Sequence, residues 1–360
     1  MEKTINKIGI VGGGMGALLF MAEAAKKGMA TTLLDPRINC LGATYANEHM
    51  IAAFTSENIK KLSLRVDAVV FNTLTDCTLK LEAASYPQKD SMGILSSPKK
   101  ILELVTELEV PYRDTYYQDN KGDTFNRIDE INLPFKLVKE YEDRIETVEL
   151  FNQSELAEEI LEMNEKINSF ILQPIRQYST KIICVGLVDN KNNVVFYNPV
   201  EECYDEEGHL MSLTTTTSLS KTMLQKINRY NKKLVKELNS VGLYTICYGV
   251  KANKGVEILE ITPELPLAAN LLEKAYDLSP YEQYIGVLMG MNCIEPTLLR
   301  PMQGHLLKGA RVKSSKVAYH VYQLENEQLY IVPLKQALEQ PTQGSIEQKR
   351  DKTKKTTKEM

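Results

Sequence analysis

Four glycines crowd one short turn, Gly12-Gly13-Gly14-Met15-Gly16-Ala17, directly after the apolar run Lys7-Ile8-Gly9-Ile10-Val11. An acid, Asp35, follows 23 residues after Gly12. Glycine lets a backbone approach a ligand closely, the amides at a helix start can hold a phosphate, and an acid ending the next strand can bond a ribose hydroxyl. Gly12, Gly13, Gly14, Gly16 and Asp35 are therefore candidate nucleotide- or phosphate-binding residues. Taken alone, they suggest an NAD(P)- or FAD-binding oxidoreductase. Against that class stand Pro36 and Arg37 directly after the acid, and a remaining chain without a hydride-transfer constellation.

These residues need a strand, a tight turn, a helix and a second strand to position them. Leu18, Leu19, Ala22 and Ala25 give the helix its apolar positions and Gly28 ends it. Thr31–Leu34 and Ala68–Phe71 read as further buried strands, so the opening segment predicts a parallel sheet covered by helices. Ser97-Pro98 starts another helix, with Ile101, Leu104, Val105 and Leu108 as its stripe. Strand-like pieces follow at 135–139 and 147–150, with a helix from Ser154 to about Ile167 between them and paired strands at 182–188 and 193–197. A long helix is predicted over about 220–241, a strand over 256–261, a capped helix start at Ser279-Pro280 and a hairpin over 317–324 and 328–334.

Composition narrows the function classes. The chain has 360 residues, enough for two or three domains, with 43% hydrophobic and 25% charged residues, an ordinary globular balance. No apolar run reaches the roughly 20 residues of a membrane span, and the first residues carry no signal-peptide pattern, so a cytoplasmic protein is expected. Six cysteines stand singly, which predicts neither a disulfide framework nor a zinc site. The net charge is −4, and the residues from Glu347 onward are basic, so the body is more acidic than the total shows. That speaks against nucleic acid as a partner. The tail 341–360 reads as disordered. Glycine, 19 in all, is absent from 123 to 185.

The segment from Ile8 to Pro36 resembles the 5-(carboxyamino)imidazole ribonucleotide synthetases, ATP-grasp enzymes of purine biosynthesis, at their IGILGGGQLGRM and VLDP motifs. Ala46–Phe54 is similar to the family's ADEHIVADY segment, Phe196–Glu201 to its FYPVVEN strand, and Glu260–Pro263 to its NEIAP strand. The resemblance covers roughly residues 7–335. It implies an α/β chain with an N-terminal Rossmann-like (pre-ATP-grasp) domain over 1–90, an α+β ATP-grasp body over 91–292 and a small C-terminal β domain over 293–340. It also implies ATP and Mg2+ as cofactors of an active enzyme, a small nucleotide-like ligand, and a homodimer.

The family's chemistry, ATP-driven carboxylation of an amine, asks for positioning and charge neutralisation. The resemblance puts phosphate-gripping lysines at Lys99 or Lys100 and at Lys139, with Lys136 as the alternative. It places a glycine-rich flap just after, where this chain reads Lys139-Glu140-Tyr141-Glu142-Asp143-Arg144, with three acids and no glycine. Its magnesium ligands fall at Cys247, Leu259 and Glu260, leaving one hard oxygen donor, and a thiol is a poor magnesium ligand. Its acceptor cradle RPHNSGH falls on Glu264–Asn270, with glutamate for arginine and no histidine. The acidic adenine hinge reads Ile171-Leu172-Gln173-Pro174-Ile175, while Glu201 keeps its expected neighbours. The expectation is a diverged paralogue with weakened or lost ligase activity. The alternatives are an active ATP-dependent carboxylate ligase with another acceptor, and the oxidoreductase above. Candidate binding residues are thus the glycines, Asp35, Lys100, Lys139 and Glu201, with Glu260 for a metal; His209, His305 and His320 read as strand or surface residues.

Overall fold

The computed structural model describes residues 5–72, 77–119, 134–141, 145–152, 154–155, 158–159, 167–308, 320–324 and 327–334. Its first unit is a four-stranded sheet in the order β3-β2-β1-β4, every pair parallel: β1 Lys7–Val11, β2 Ala30–Leu34, β3 Glu48–Met50 and β4 Ala68–Phe71. The central strands are continuous buried runs, as parallel strands covered on both faces must be. Helix α1 Met15–Lys26 returns the chain from β1 to β2, and α2 Ser56–Ser63 lies between β3 and β4. The hydroxyl of Thr55 caps α2 by accepting the Asn58 N–H at 3.3 Å.

Helices α3 Cys77–Leu81, α4 Lys89–Leu95 and α5 Pro98–Glu107 lead onward, the last capped by Ser97 with Pro98 in its first turn. The second sheet is antiparallel, in the order β5-β8-β6-β7: β5 Tyr116–Asp119, β6 Phe135–Tyr141, β7 Ile145–Leu150 and β8 Ile167–Pro174. Of the helix expected from Ser154 to about Ile167, only Ser154, Glu155, Glu158 and Glu159 lie among the described residues, all four helical, before Ile167 opens β8.

Among the described residues the third sheet has nine strands, all of them paired antiparallel. Its strands are β9 Thr180–Val188, β10 Val194–Phe196, β11 Val200–Tyr204, β12 Leu210–Thr214, β13 Gly242–Val250, β14 Val256–Thr262, β15 Met302–Lys308, β16 His320–Gln323 and β17 Glu327–Pro333. They run in the order β14-β13-β9-β11-β12-β15-β17-β16, with β10 paired to β9. The predicted hairpin near the C-terminus is β16–β17. Its strands do not form a separate sheet, because Leu213 of β12 pairs with Gly304 of β15 and the large sheet continues through them.

Strand alternation divides the core. Ile183, Val185 and Leu187 of β9 pack with α1, α7 Ala268–Ala275 and α8 Pro280–Leu288; Ile182, Cys184 and Val188 pack on the other face with α6 Lys221–Leu238. The Phe20 and Tyr284 rings meet edge-on at 5.7 Å and join the first unit to the large sheet. No helix among the described residues is long and apolar enough to cross a membrane. The tail 341–360 lies outside the described residues.

Candidate functional site

The glycine turn is tied to its own chain. Gly12, at φ 92°, donates its N–H to the Leu34 carbonyl at 2.9 Å, and Gly13 donates to Asp35 Oδ2 at 2.7 Å. Asp35 is 0% exposed. The Arg37 N–H and Nε each reach Asp35 Oδ1 at 2.9 Å, and Arg37 Nη2 reaches Oδ2 at 2.9 Å. Burial by itself would raise the Asp35 pKa, but the Arg37 side chain and the Arg37 and Gly13 amides outweigh it and hold the carboxyl below its usual 3.8. A Cβ on Gly13 would overlap Cys40 Sγ, and one on Gly16 would overlap Asn72 Oδ1. Close approach of this chain's own side chains is what demands glycine there. Both Asp35 carboxylate oxygens are engaged by Gly13 and Arg37.

The expected lysines divide between two faces of the second sheet. Lys139 points away from Lys136 by the alternation of β6, and its ammonium pairs with Glu159 at 2.8 Å and Glu146 at 3.5 Å. Lys100 donates its ammonium to the Gly93 carbonyl at 2.9 Å, and Lys99 lies 4.8 Å from the centre of the Tyr117 ring. Lys136 is the lysine that shares a field with Glu260 of β14 and with Arg113, a residue the sequence did not single out. Burial, then the charge of Arg113, pushes the Lys136 pKa down, while Glu260 and Glu149 oppose that. Arg113 is fixed beside β14 by its backbone N–H, which donates to the Ile258 carbonyl at 3.1 Å. Glu201 of β11 accepts the Ser218 N–H at 2.6 Å and its hydroxyl at 2.9 Å.

The donor set around Glu260 does not fit magnesium. Its partner across the β13–β14 ladder is Cys247, whose thiol is pushed up to about 12 by burial and then by Glu202. It therefore stays protonated at neutral pH and offers no hard oxygen. Leu259 precedes Glu260 and is a buried apolar side chain with no donor to offer. Among the described residues, Asp205, Glu207 and His209 form a group that could share a cation, on the turn between β11 and β12, and Glu260 is not part of it. Its His209 is already engaged: its N–H donates to Asp205 Oδ1 at 2.7 Å and its Nδ1 lies 3.2 Å from Oδ2.

The segment expected to cradle an acceptor is closed on itself. Glu264 is ion-paired with Lys80 of α3, and both are buried, at 7% and 2% exposure. Burial raises the Glu264 pKa and the Lys80 charge opposes it. The Glu264 carbonyl accepts the Thr245 hydroxyl at 2.7 Å, and Asn270 Oδ1 accepts the Tyr281 hydroxyl at 2.5 Å. A second buried acid, Glu257, binds the Tyr178 hydroxyl, Arg176 and Lys251, so the connection from β8 to β9 is fastened to β14. Nothing in the sequence pairs Lys80 with Glu264 or Arg176 with Glu257, since about 80 or more positions separate each pair and no local spacing connects them.

Comparison with known proteins agrees with this architecture. Residues 5–88 match the ribonucleotide synthetase preATP-grasp domain. A curated relative, N5-carboxyaminoimidazole ribonucleotide synthase of Brucella melitensis biotype 1, is 22% identical over 321 residues, 81% of this chain and 83% of the relative. The crystal structure of N5-carboxyaminoimidazole synthetase from Staphylococcus aureus superposes with a TM-score of 0.73 at 17% identity, covering 92% of this chain and 94% of that one. The Aspergillus clavatus enzyme, solved in complex with ADP and 5-aminoimidazole ribonucleotide, gives 0.70 at 12% identity, covering 92% and 94%.

Proposed function

We infer, from the premise that this chain is an ATP-grasp protein built like the N5-carboxyaminoimidazole ribonucleotide synthetases, that it is a diverged paralogue. It binds a phosphate-bearing, nucleotide-like metabolite between its second and third sheets and has lost, or greatly weakened, the carboxylating reaction its relatives' names describe. The carrying observation is the Lys80–Glu264 pair. Where the resemblance expects an arginine for an anionic substrate group, this chain has an acid and neutralises it with its own lysine. An acid at that position repels a phosphate or carboxyphosphate oxygen, and the buried ammonium is already paired.

Two further features support the reading. Phosphoryl transfer from ATP requires neutralisation of charge developing on the transferred group. Here Cys247 stands as a neutral thiol beside Glu260, and Lys139 is held by Glu159 and Glu146. The charges that bear on Lys136 are those of Arg113, Glu260 and Glu149.

The test is turnover by the purified chain with ATP, magnesium, aminoimidazole ribonucleotide and bicarbonate. The expected result is no release of ADP above background, and none with other amine acceptors. ADP formation dependent on aminoimidazole ribonucleotide, at the rate of an ordinary ligase, would overturn the reading. Acceptor-dependent turnover with a different amine would instead establish an active ligase of altered specificity.

A further inference from the structure

The chain enters the second sheet once, through residues 108–115, and leaves it once, through residues 175–179. Both crossings are fastened to the same two residues of β14. On the way in, the Ile258 N–H donates to the Pro111 carbonyl at 2.8 Å, and the Ile258 carbonyl accepts the Arg113 N–H at 3.1 Å. On the way out, Arg176 Nη1 reaches Glu257 Oε1 at 3.3 Å, and the Tyr178 hydroxyl donates to the same oxygen. Lys251, just beyond the end of β13, pairs with Glu257 Oε2. Arg176 also pairs with Asp114, so the crossings are tied to each other as well as to β14. Gly249, the register partner of Glu257, leaves room for the Tyr178 ring, which a Cβ there would approach to 2.5 Å.

Little apolar packing holds the second sheet to the rest of the chain. Its buried residues Phe135, Leu137, Phe170 and Leu172 belong to neither of the two apolar cores that span the other described elements. Among the described residues its strands make extensive contacts only with one another. Directional bonds at β14 therefore decide where the sheet sits, and Glu257 is their centre. It is fully buried, and three donor groups facing it make a buried carboxylate tolerable. Segments with few apolar contacts are the ones that open first when such bonds are lost.

We propose that Glu257 is a latch that fixes the pose of the second sheet over the cleft. With its bonds made, the sheet and β14 move as one body. With them broken, the sheet turns about the two crossings while its own strands stay paired. Arg176 is the part of the latch that solvent reaches, since its side chain is 42% exposed and that of Glu257 is not. The latch stands apart from the functional reading above, because no ligand enters into it.

Hydrogen exchange read by mass spectrometry on the full chain, without ligand, tests it in Glu257→Gln and in Arg176→Gln. Peptides covering the Arg113 and Ile258 amides are expected to exchange at least about tenfold faster in both variants, the loss of one charge-assisted bond. Amides inside β6 and β8, and inside β9 and β13, should keep the parent's rates. Small-angle X-ray scattering should show a larger maximum dimension in both variants. Arg176→Gln alters a partly exposed side chain, so it carries the test if Glu257→Gln does not fold. Parent rates at Arg113 and Ile258 in a folded variant overturn the latch. So does faster exchange spread evenly over all three sheets, which is what a plain loss of stability gives. Faster exchange at the crossings with an unchanged scattering curve also overturns it, because the bonds would then hold the crossings and not the sheet.

Discussion

Lys80, on a short helix of the N-terminal unit, and Glu264, just past the last residue of β14, form a buried ion pair between two parts of the chain separated by most of the second and third sheets. Each side chain is the other's counter-charge, and the pair sits where an anion-binding arginine is expected from the family resemblance. Removal of either side chain alone would leave the other buried without its counter-charge.

The pair makes a double-mutant prediction. Lys80→Met or Glu264→Leu alone leaves the other charge buried and unpaired, and either should cost about 3–5 kcal/mol. Lys80→Met with Glu264→Leu removes both charges at similar volume and should fall within about 1 kcal/mol of the parent. Urea midpoints at constant m-value measure all three. Additive losses in the double variant would show that the two side chains act independently.

Asp35 predicts an acid-side dependence. Its folded pKa is lowered, so its contribution is present in full above the unfolded value near 3.8 and is lost as pH falls through the folded pKa. Asp35→Asn forfeits charge-assisted bonds to Arg37 and Gly13, a loss of about 1–3 kcal/mol at neutral pH. The gap between parent and variant should close on acidification below about pH 4. Thermal melts across that range check it; a gap constant with pH would place the loss in packing and not in charge.

The glycines make a contrasting pair. Gly16→Ala drives a Cβ into Asn72 Oδ1 and should destabilise by about 1–3 kcal/mol through overpacking. Gly93→Ala, inside α4 with nothing within 4 Å of the new methyl, should stabilise by roughly 0.5–1 kcal/mol. If Gly16→Ala retained the parent's melting temperature, close packing would not be what holds glycine at that turn.

How much of this was legible in sequence follows from the range of each interaction. Strands β1, β2 and β4 and the glycine turn were readable because apolar runs and turn chemistry are local. So were the caps at Ser97 and Ser279, whose signals lie within four residues. The motif around Asp35 gave the backbone turn, while the bond from Gly13 to Asp35 and the approach of Cys40 to Gly13 depend on the folded chain. Lys139 and Lys136 differ by three residues, an odd step, so strand parity sends them to opposite faces; spacing from a family motif did not resolve that parity. Lys80 and Glu257 carried no local signal for their bonds to Glu264 and to Arg176, which lie far from them in the chain. The C-terminal strands looked separable because nothing in residues 302–333 announces the pairing of Gly304 with Leu213.

Three cysteines make a prediction about thiol reactivity. Burial pushes Cys184, Cys247 and Cys293 each up to about 12, with Asp189 adding to the effect at Cys293. At pH 8 a group of pKa 12 is ionised in only about one molecule in ten thousand, and the thiolate is both the nucleophile and the metal ligand. Native protein treated with iodoacetamide at pH 8 should therefore leave these three cysteines almost unlabelled, with full labelling once urea unfolds the chain. Peptide mass mapping reads each site separately. Rapid native labelling of Cys247 would mean a thiolate opposite Glu260, which would reopen that position to a transition metal.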